Sequence, residues 1–495
     1  MPASANIPPA LNEHATHRVH TPTVIARADH PVSRALVVPA ALKVLYRLKD
    51  AGYQAFLVGG CVRDILLGIE PKDFDVATDA RPEDVRRLFR SCRLIGRRFR
   101  LAHVRFGDEI IEVATFRATH EPGEPEDLDD ELDDREGEVG PTVLPEELEL
   151  DEPLPAAATA PSGDSAQRVQ DDRGRLLRDN LYGSIDQDVW RRDFTCNALY
   201  YNIEDFSIWD YVGGVADVRA RCLRLIGDPE TRYREDPVRM LRAVRFQAKL
   251  GFSLDPDTEA PIARLAGLLD GIPAARLFDE AQKLFLAGFA CRSFELLVDH
   301  GLLDHLFPSL AAHLAHEPTG MTRRLIERGL ANTDRRVQQG RPVTPTFLFA
   351  VLLFGPISDA AQRRFDAGKP ATLAIAEACD EVIAAQVHRI GLPKRFSVPL
   401  RELLALQPRF QRRDGRKALN LLNHPRFRAA YDFLLLRAEA GAEDVAVARW
   451  WTAVQDMPAE DRLAQVERPR APGEAQPGGA PRRRRRRRRP AAPPA

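Results

Sequence analysis

The sequence predicts an α+β protein, a small mixed β-sheet domain followed by a long all-α body. Up to about residue 226, runs with period-2 alternation intermix with short amphipathic helices, whereas from about 255 to 456 only helical periodicity remains. Two stretches fit neither pattern: about 118–178, acidic and then Pro/Ala-rich, and everything beyond about 457, rich in Pro, Gly and Arg. They hold too few large apolar side chains to offset the entropy of ordering, so a disordered insertion and a disordered basic tail are expected.

Residues 1–34 show no sustained period and read as a flexible leader. Leu42, Leu45 and Leu48 then stand three apart in a helix that Gly52 stops. Leu57 and Val58 end an apolar strand, and Gly59-Gly60 turn the chain into a helix with apolar Val62, Ile65 and Leu66, closed by Gly68. The unpaired N–H groups of that first turn favour a phosphate. In the next strand Asp73 and Asp75 lie two apart, so alternation sets both carboxylates on one face and Phe74 and Val76 on the other. Converging carboxylates beside a phosphate cradle suit Mg²⁺.

A helix opens at Pro82, and strands follow in Leu94–Phe106 and Glu109–Arg117, completing a sheet with helices on one side. Glu112 is an acid in an otherwise apolar strand, which makes it a candidate third carboxylate; an edge charge facing water is the alternative. Past the insertion come Ile208, Asp210 and the Gly213-Gly214 turn. A helix then runs to Gly251 with Asp236 as N-cap, Pro237 at its first position, and Asp236, Arg239 and Arg242 on one polar stripe. Phe347–Phe354, the longest apolar run, is far short of the roughly 20 residues of a membrane span and reads as a buried helix.

Six cysteines lack C-x-x-C spacing, which fits a reducing cytoplasm and no disulfide framework. The net charge of −1 conceals an asymmetry, because Glu121–Glu152 holds sixteen acids and one Arg and so leaves the remainder at +14. A basic remainder, with basic residues such as Arg409, Arg412, Arg413, Arg416 and Lys417 clustered in the body and eight Arg at 482–489, points to a nucleic-acid partner.

The motif G-G-x-V-R-D, with D-F-D-x-x-T following thirteen residues on, resembles the nucleotidyltransferase superfamily of DNA polymerase β, in its branch of bacterial poly(A) polymerases and CCA-adding enzymes. R-R-D-F-T-x-N at Arg191–Asn197 and E-D-P-V-R at Glu235–Arg239 extend the likeness over residues 35–455, the insertion apart. The resemblance implies a catalytic head at 35–226, a base-reading neck at 227–290 and an RNA-binding body at 291–456. It implies metal on Asp73 and Asp75, with Glu112 or Asp193 as third essential carboxylate, both left open by the sequence. It also implies nucleotide contacts from Gly59, Gly60, Arg63 and Arg192, while Asp236 accepts from the amine of adenine and Arg239 donates to a ring nitrogen. Template-independent addition of AMP from ATP to RNA 3′ ends is the activity expected, feeding RNA decay and its machinery. Addition of CCA to tRNA is the alternative, and a scaffold without catalysis would not keep Asp73, Asp75, Glu112 and Asp193 all acidic. Leu94–Val104, which is similar to a signature of the poly(A) branch, the Arg-rich end and the lack of a His-Asp dipeptide favour AMP addition.

Overall fold

The computed structural model describes residues 21–96, 100–118, 169–170, 176–178, 182–317, 320–414, 416–458 and 460–463. Most of the acidic insertion and the whole Arg run at 482–489 therefore lie outside the described residues.

Strands β1 (Thr23–Ile25), β2 (Ala55–Val58), β3 (Asp75–Thr78), β4 (Cys92–Ile95), β5 (Leu101–Phe106) and β6 (Glu109–Thr115) are joined by β9 (Leu199–Asn202) and β10 (Ile208–Asp210). They form one eight-stranded sheet in the order β1-β10-β9-β2-β3-β6-β5-β4. Neighbours are antiparallel except β3 and β6, which run parallel. Two strands between them, β7 (Val169–Gln170) and β8 (Leu176–Arg178), pair only with each other, so part of the stretch expected to be disordered is a short hairpin.

The leader needs a larger correction. Residues 21–34 are built into the fold: β1 adds an edge strand against β10, Val32 is fully buried, and the His30 ring bonds the Phe206 carbonyl at 3.0 Å. A three-residue strand has no period to detect, and its partner is nearly two hundred residues away.

Helix α1 (Pro39–Asp50) covers one face of the sheet, where Val44, Leu45 and Leu48 share a core with Leu57, Val76 and Val113. α2 (Gly60–Leu66) and α3 (Pro82–Leu88) match their predicted starts. The opposite face is also covered, contrary to the expectation of helices on one side. There Ile185 and Val189 of α4 (Ile185–Arg191) pack on Phe56, Val58, Ala77 and Tyr200.

The chain leaves the sheet after Phe116 and returns at Tyr182, where Arg117 and Tyr182 bridge and the Gly183 N–H donates to the Phe116 carbonyl at 3.0 Å. Past β10, both oxygens of the buried Asp210 accept the N–H groups of Val212 to Val215, fixing the Gly213-Gly214 entry to α5 (Gly214–Ala220). β11 (Cys222–Leu223) pairs in parallel with β12 (Ser253–Leu254).

The helix expected to run to Gly251 is preceded by a second one. α6 (Pro229–Glu235) ends at Asp236, and α7 (Val238–Leu250) begins after Pro237, which cannot continue a helix. Two short helices, α8 (Pro256–Glu259) and α9 (Ile262–Leu265), then lead to α10 (Ala274–Phe285) and a helical body through Asp456. Its 22-residue helix Pro345–Asp366 contains the apolar run, and Leu348–Phe354 is buried, as expected. All six cysteines are free.

Gly214 is where the fold is tightest around the R-R-D-F-T segment. A Cβ there would stand 2.2 Å from the Thr195 carbonyl oxygen, a backbone atom that cannot yield cheaply. Gly214→Ala is expected to lower stability by about 2 kcal/mol or more, read as the shift of the denaturant midpoint. An unchanged midpoint would show that α5 moves aside without cost.

Candidate active site

The register of the sheet aligns one row of side chains across its α4-covered face. Tyr200 pairs with Val58, Val58 with Asp75, Asp75 with Glu112, and Glu112 with His103. Paired residues point the same way, so Asp75 and Glu112 are neighbours on parallel strands. Asp73 stands two residues earlier, exposed just before β3 begins, while Phe74 and Val76 are buried as the alternation requires. Burial, then Glu112, then Asp73 push the Asp75 carboxyl up to about 6, against the pull of Arg192. Burial and two neighbouring carboxylates thus disfavour the charged form of Asp75.

No cluster of three His, Cys, Asp or Glu forms a closed cage among the described residues. The donor set nevertheless fits a hard cation of the Mg²⁺ type, which takes one or two carboxylates and completes its shell with water and substrate phosphate. His103, missed by the sequence reading, has its Nε2 3.4 Å from Glu112 Oε1. Its signal was the alternation of Leu101–Phe106, which sets it opposite Glu112.

Gly59, at φ +77°, makes the turn that follows Val58. A Cβ on it would lie 3.6 Å from the Asn197 carbonyl and 3.8 Å from Nη1 of Arg192. Arg192 thus overhangs the Gly59-Gly60 turn, as a nucleotide contact would. The Arg63 side chain is 2% exposed, with Nε and Nη2 donating to Asp64 Oδ1 and Nη1 to Asn197 Oδ1. Arg63, which the resemblance assigns to nucleotide, ties α2 to the R-R-D-F-T-x-N segment through Asn197.

Asp193 is placed away from the expected role. Its Oδ1 accepts from Arg239 Nε at 2.9 Å and its Oδ2 from Arg242 Nη1 at 2.8 Å, so α7 and not the Asp75 row receives it. Burial opposes its ionisation, but the two guanidiniums prevail and hold its carboxyl below the usual range. Of the two candidates for third carboxylate, Glu112 is the one that lies beside Asp75. Thr195, from the same motif, donates to Asp217 Oδ2 at 2.6 Å.

Asp236 and Arg239 are 4% and 5% exposed, so the stripe they share faces the interior. An i, i+3 pattern of polar residues fixes a common face but not what covers it. Asp236 Oδ1 accepts the Val238 N–H at 3.1 Å and Oδ2 accepts from Arg276 Nη2 of α10 at 2.8 Å. Arg239 Nη1 also donates to the Arg232 carbonyl and to Glu235. Farther along, Glu280 of α10, 2% exposed, takes Lys283 at 3.0 Å and lies 3.8 Å from both Arg242 and Arg245. Arg276 and Glu280 carry no signal in a single sequence beyond being charges within an apolar helix.

Comparison with known proteins places this site in a family. A family profile described as "Poly A polymerase head domain" matches residues 55–224, and "Polymerase A arginine-rich C-terminus" matches 367–490. Between them, residues 251–314 match "Probable RNA and SrmB- binding site of polymerase A". The chain is 47% identical over 436 residues to Poly(A) polymerase I of Escherichia coli O6:H1, covering 88% of this chain and 86% of that one. With Poly(A) polymerase I of Salmonella typhimurium it is 45% identical over 478 residues, 93% and 94% of the two chains. Identity to the CCA-adding enzyme of Geobacillus stearothermophilus is 35% over 271 residues, 55% of each chain. The fold matches the crystal structure of Bacillus stearothermophilus CCA-adding enzyme in complex with CTP, with a TM-score of 0.51 at 24% identity over 88% of this chain and 90% of that one. With identity of this order sustained along nearly its whole length, the chain belongs to the bacterial poly(A) polymerase family.

Proposed function

We propose that this chain adds AMP from ATP to RNA 3′ ends without a template and releases pyrophosphate. The observation that supports it most is the parallel pairing of Asp75 with Glu112, one strand from the Gly59-Gly60 turn that Arg192 overhangs. Relatives named Poly(A) polymerase I match over nearly full length, and CCA-adding relatives over about half, which favours AMP addition over CCA repair.

Asp75 and Glu112, with Asp73 at the mouth of β3, would hold Mg²⁺. When bound, the cation supplies Lewis-acid polarisation of the RNA hydroxyl and of the triphosphate oxygens. The turn without a Cβ admits phosphate close to backbone, and Arg192 offers its Nη1 to it. Asp236 and Arg239 are in position to read the adenine edge once each exchanges an internal partner for the base. The RNA 3′ oxygen attacks the α-phosphorus, the bond to the β-phosphate bridge breaks, and pyrophosphate departs. Positioning and charge account for the protein's share, and no protein nucleophile is needed. Asp193 acts in this reading by holding Arg239 and Arg242 in place.

Primer extension tests the substrate assignment. With Mg²⁺ and ATP, a generic oligo(A) RNA is expected to give a long ladder, and CTP none. A single A added to a tRNA ending in C-C, with CTP used on shorter ends, would make it a CCA-adding enzyme.

Asp73→Asn and Asp75→Asn are each expected to abolish AMP addition while leaving RNA affinity unchanged; activity retained in either variant would remove that residue from the mechanism. Asp75→Asn should also raise the thermal stability of the metal-free protein by about 1 kcal/mol or more, because it deletes a carboxylate crowded by like charge. Mg²⁺ should raise the Tm of the wild type and not of this variant.

Asp193→Ala removes the carboxylate that Arg239 and Arg242 share and is expected to cost about 3 kcal/mol of stability. Asp193→Asn should fold yet bind ATP weakly with its Mg²⁺-induced Tm shift intact. Loss of that shift would instead make Asp193 a metal ligand.

A further inference from the structure

Arg192 is held by two residues to which neither the motif nor the metal site gives a role. Tyr200, fully buried in the middle of β9, donates its hydroxyl proton to Asp188 Oδ2 at 2.7 Å and accepts from Arg192 Nε at 2.8 Å. The same Asp188 oxygen accepts from Arg192 Nε at 3.2 Å and from Nη2 at 3.0 Å. A closed triangle of hydrogen bonds therefore engages one edge of the guanidinium. Its other nitrogen, Nη1, has no hydrogen-bond partner among the described residues, and it is the atom 3.8 Å from the Cβ position of Gly59. A quarter of the Arg192 side chain is exposed.

Each corner of the triangle is itself fixed. Asp188 lies in α4, whose Ile185 and Val189 are packed on the sheet, and the Tyr200 ring meets Phe56 and Phe116 at centroid distances of 6.1 and 6.5 Å. Burial, the largest influence, drives the Tyr200 hydroxyl far above its ordinary pKa, so it stays a donor. A long flexible cation is thus ordered in advance, and little freedom is left to lose when an anion arrives.

We propose that Asp188 and Tyr200 are positioning residues that set the Nη1 edge of Arg192 over the Gly59-Gly60 turn, so that the triphosphate of the incoming nucleotide meets a guanidinium already in place. The inference rests on Arg192 being a triphosphate contact, as read above. Tyr200 supplies the hydroxyl from a strand residue and Asp188 the carboxylate from the helix.

Tyr200→Phe keeps the ring and deletes the hydroxyl; Asp188→Asn keeps the shape and deletes the charge. On an oligo(A) primer, each is expected to raise KM for ATP and the inhibition constant of pyrophosphate by one common factor, roughly threefold to tenfold. Inhibition by AMP, which lacks the β- and γ-phosphates, should not change. In an Arg192→Lys background, Tyr200→Phe should add nothing, because the group it positions is gone. A fall in kcat with KM and pyrophosphate inhibition unchanged would mark a merely structural role and overturn the proposal. If Arg192→Lys itself left pyrophosphate inhibition unchanged, the triphosphate contact would fail and the proposal with it. If Arg192→Lys weakened pyrophosphate while both other variants did not, the contact would stand and the positioning would fall.

Discussion

The buried carboxylate of Asp193, shared between Arg239 and Arg242, is the interaction on which the site depends. It joins the segment that carries Arg192 to the helix that follows Asp236. The segment that carries Arg192 and the helix that carries Arg239 are thereby set relative to one another by two hydrogen-bonded ion pairs. Such pairs add little net stability over an apolar contact of the same volume, because burying charge is costly. What they supply is direction, since a guanidinium fork accepts a carboxylate in few geometries.

From this junction the charged interior spreads outward. Arg276 reaches Asp236 from α10, and Glu280 on the same helix lies among Arg242, Arg245 and Lys283. Several of these groups keep an unsatisfied buried atom, Arg276 Nη1, Arg242 Nε and Glu280 Oε2 among them. At the other end the Asp75 row is crowded with negative charge. The sheet and the helical body share one continuous apolar core that holds these two opposed regions together.

Much of this was legible in the sequence wherever a local pattern governs. Glu112 stood out as an acid in an otherwise apolar strand, and Pro82 and Gly251 marked helix ends where the structure has them. What escaped was long-range. β1 is too short to carry a period, and the Asp188–Tyr200–Arg192 triangle joins a helix to a strand through side chains that no spacing links. The inward turn of Arg63 and the burial of the Asp236 stripe depend on what packs above them. Asp193 was recognisable as essential, but a motif does not state whether an acid faces a metal or a guanidinium.

The closure of the chain at Arg117 and Tyr182 has a further consequence. Gly183 bonds Phe116, and a Cβ on it would stand 2.6 Å from the Ala118 nitrogen, so the departing and returning strands touch. The described ends of this segment are thus fastened to one another where they leave and rejoin the sheet. Each doubling of such a loop adds about 0.6 kcal/mol of closure entropy and no new geometry. A change of length between two ends already fastened together is expected to leave the Asp75–Glu112 register in place, so an engineer could splice a whole reporter domain there on the same terms.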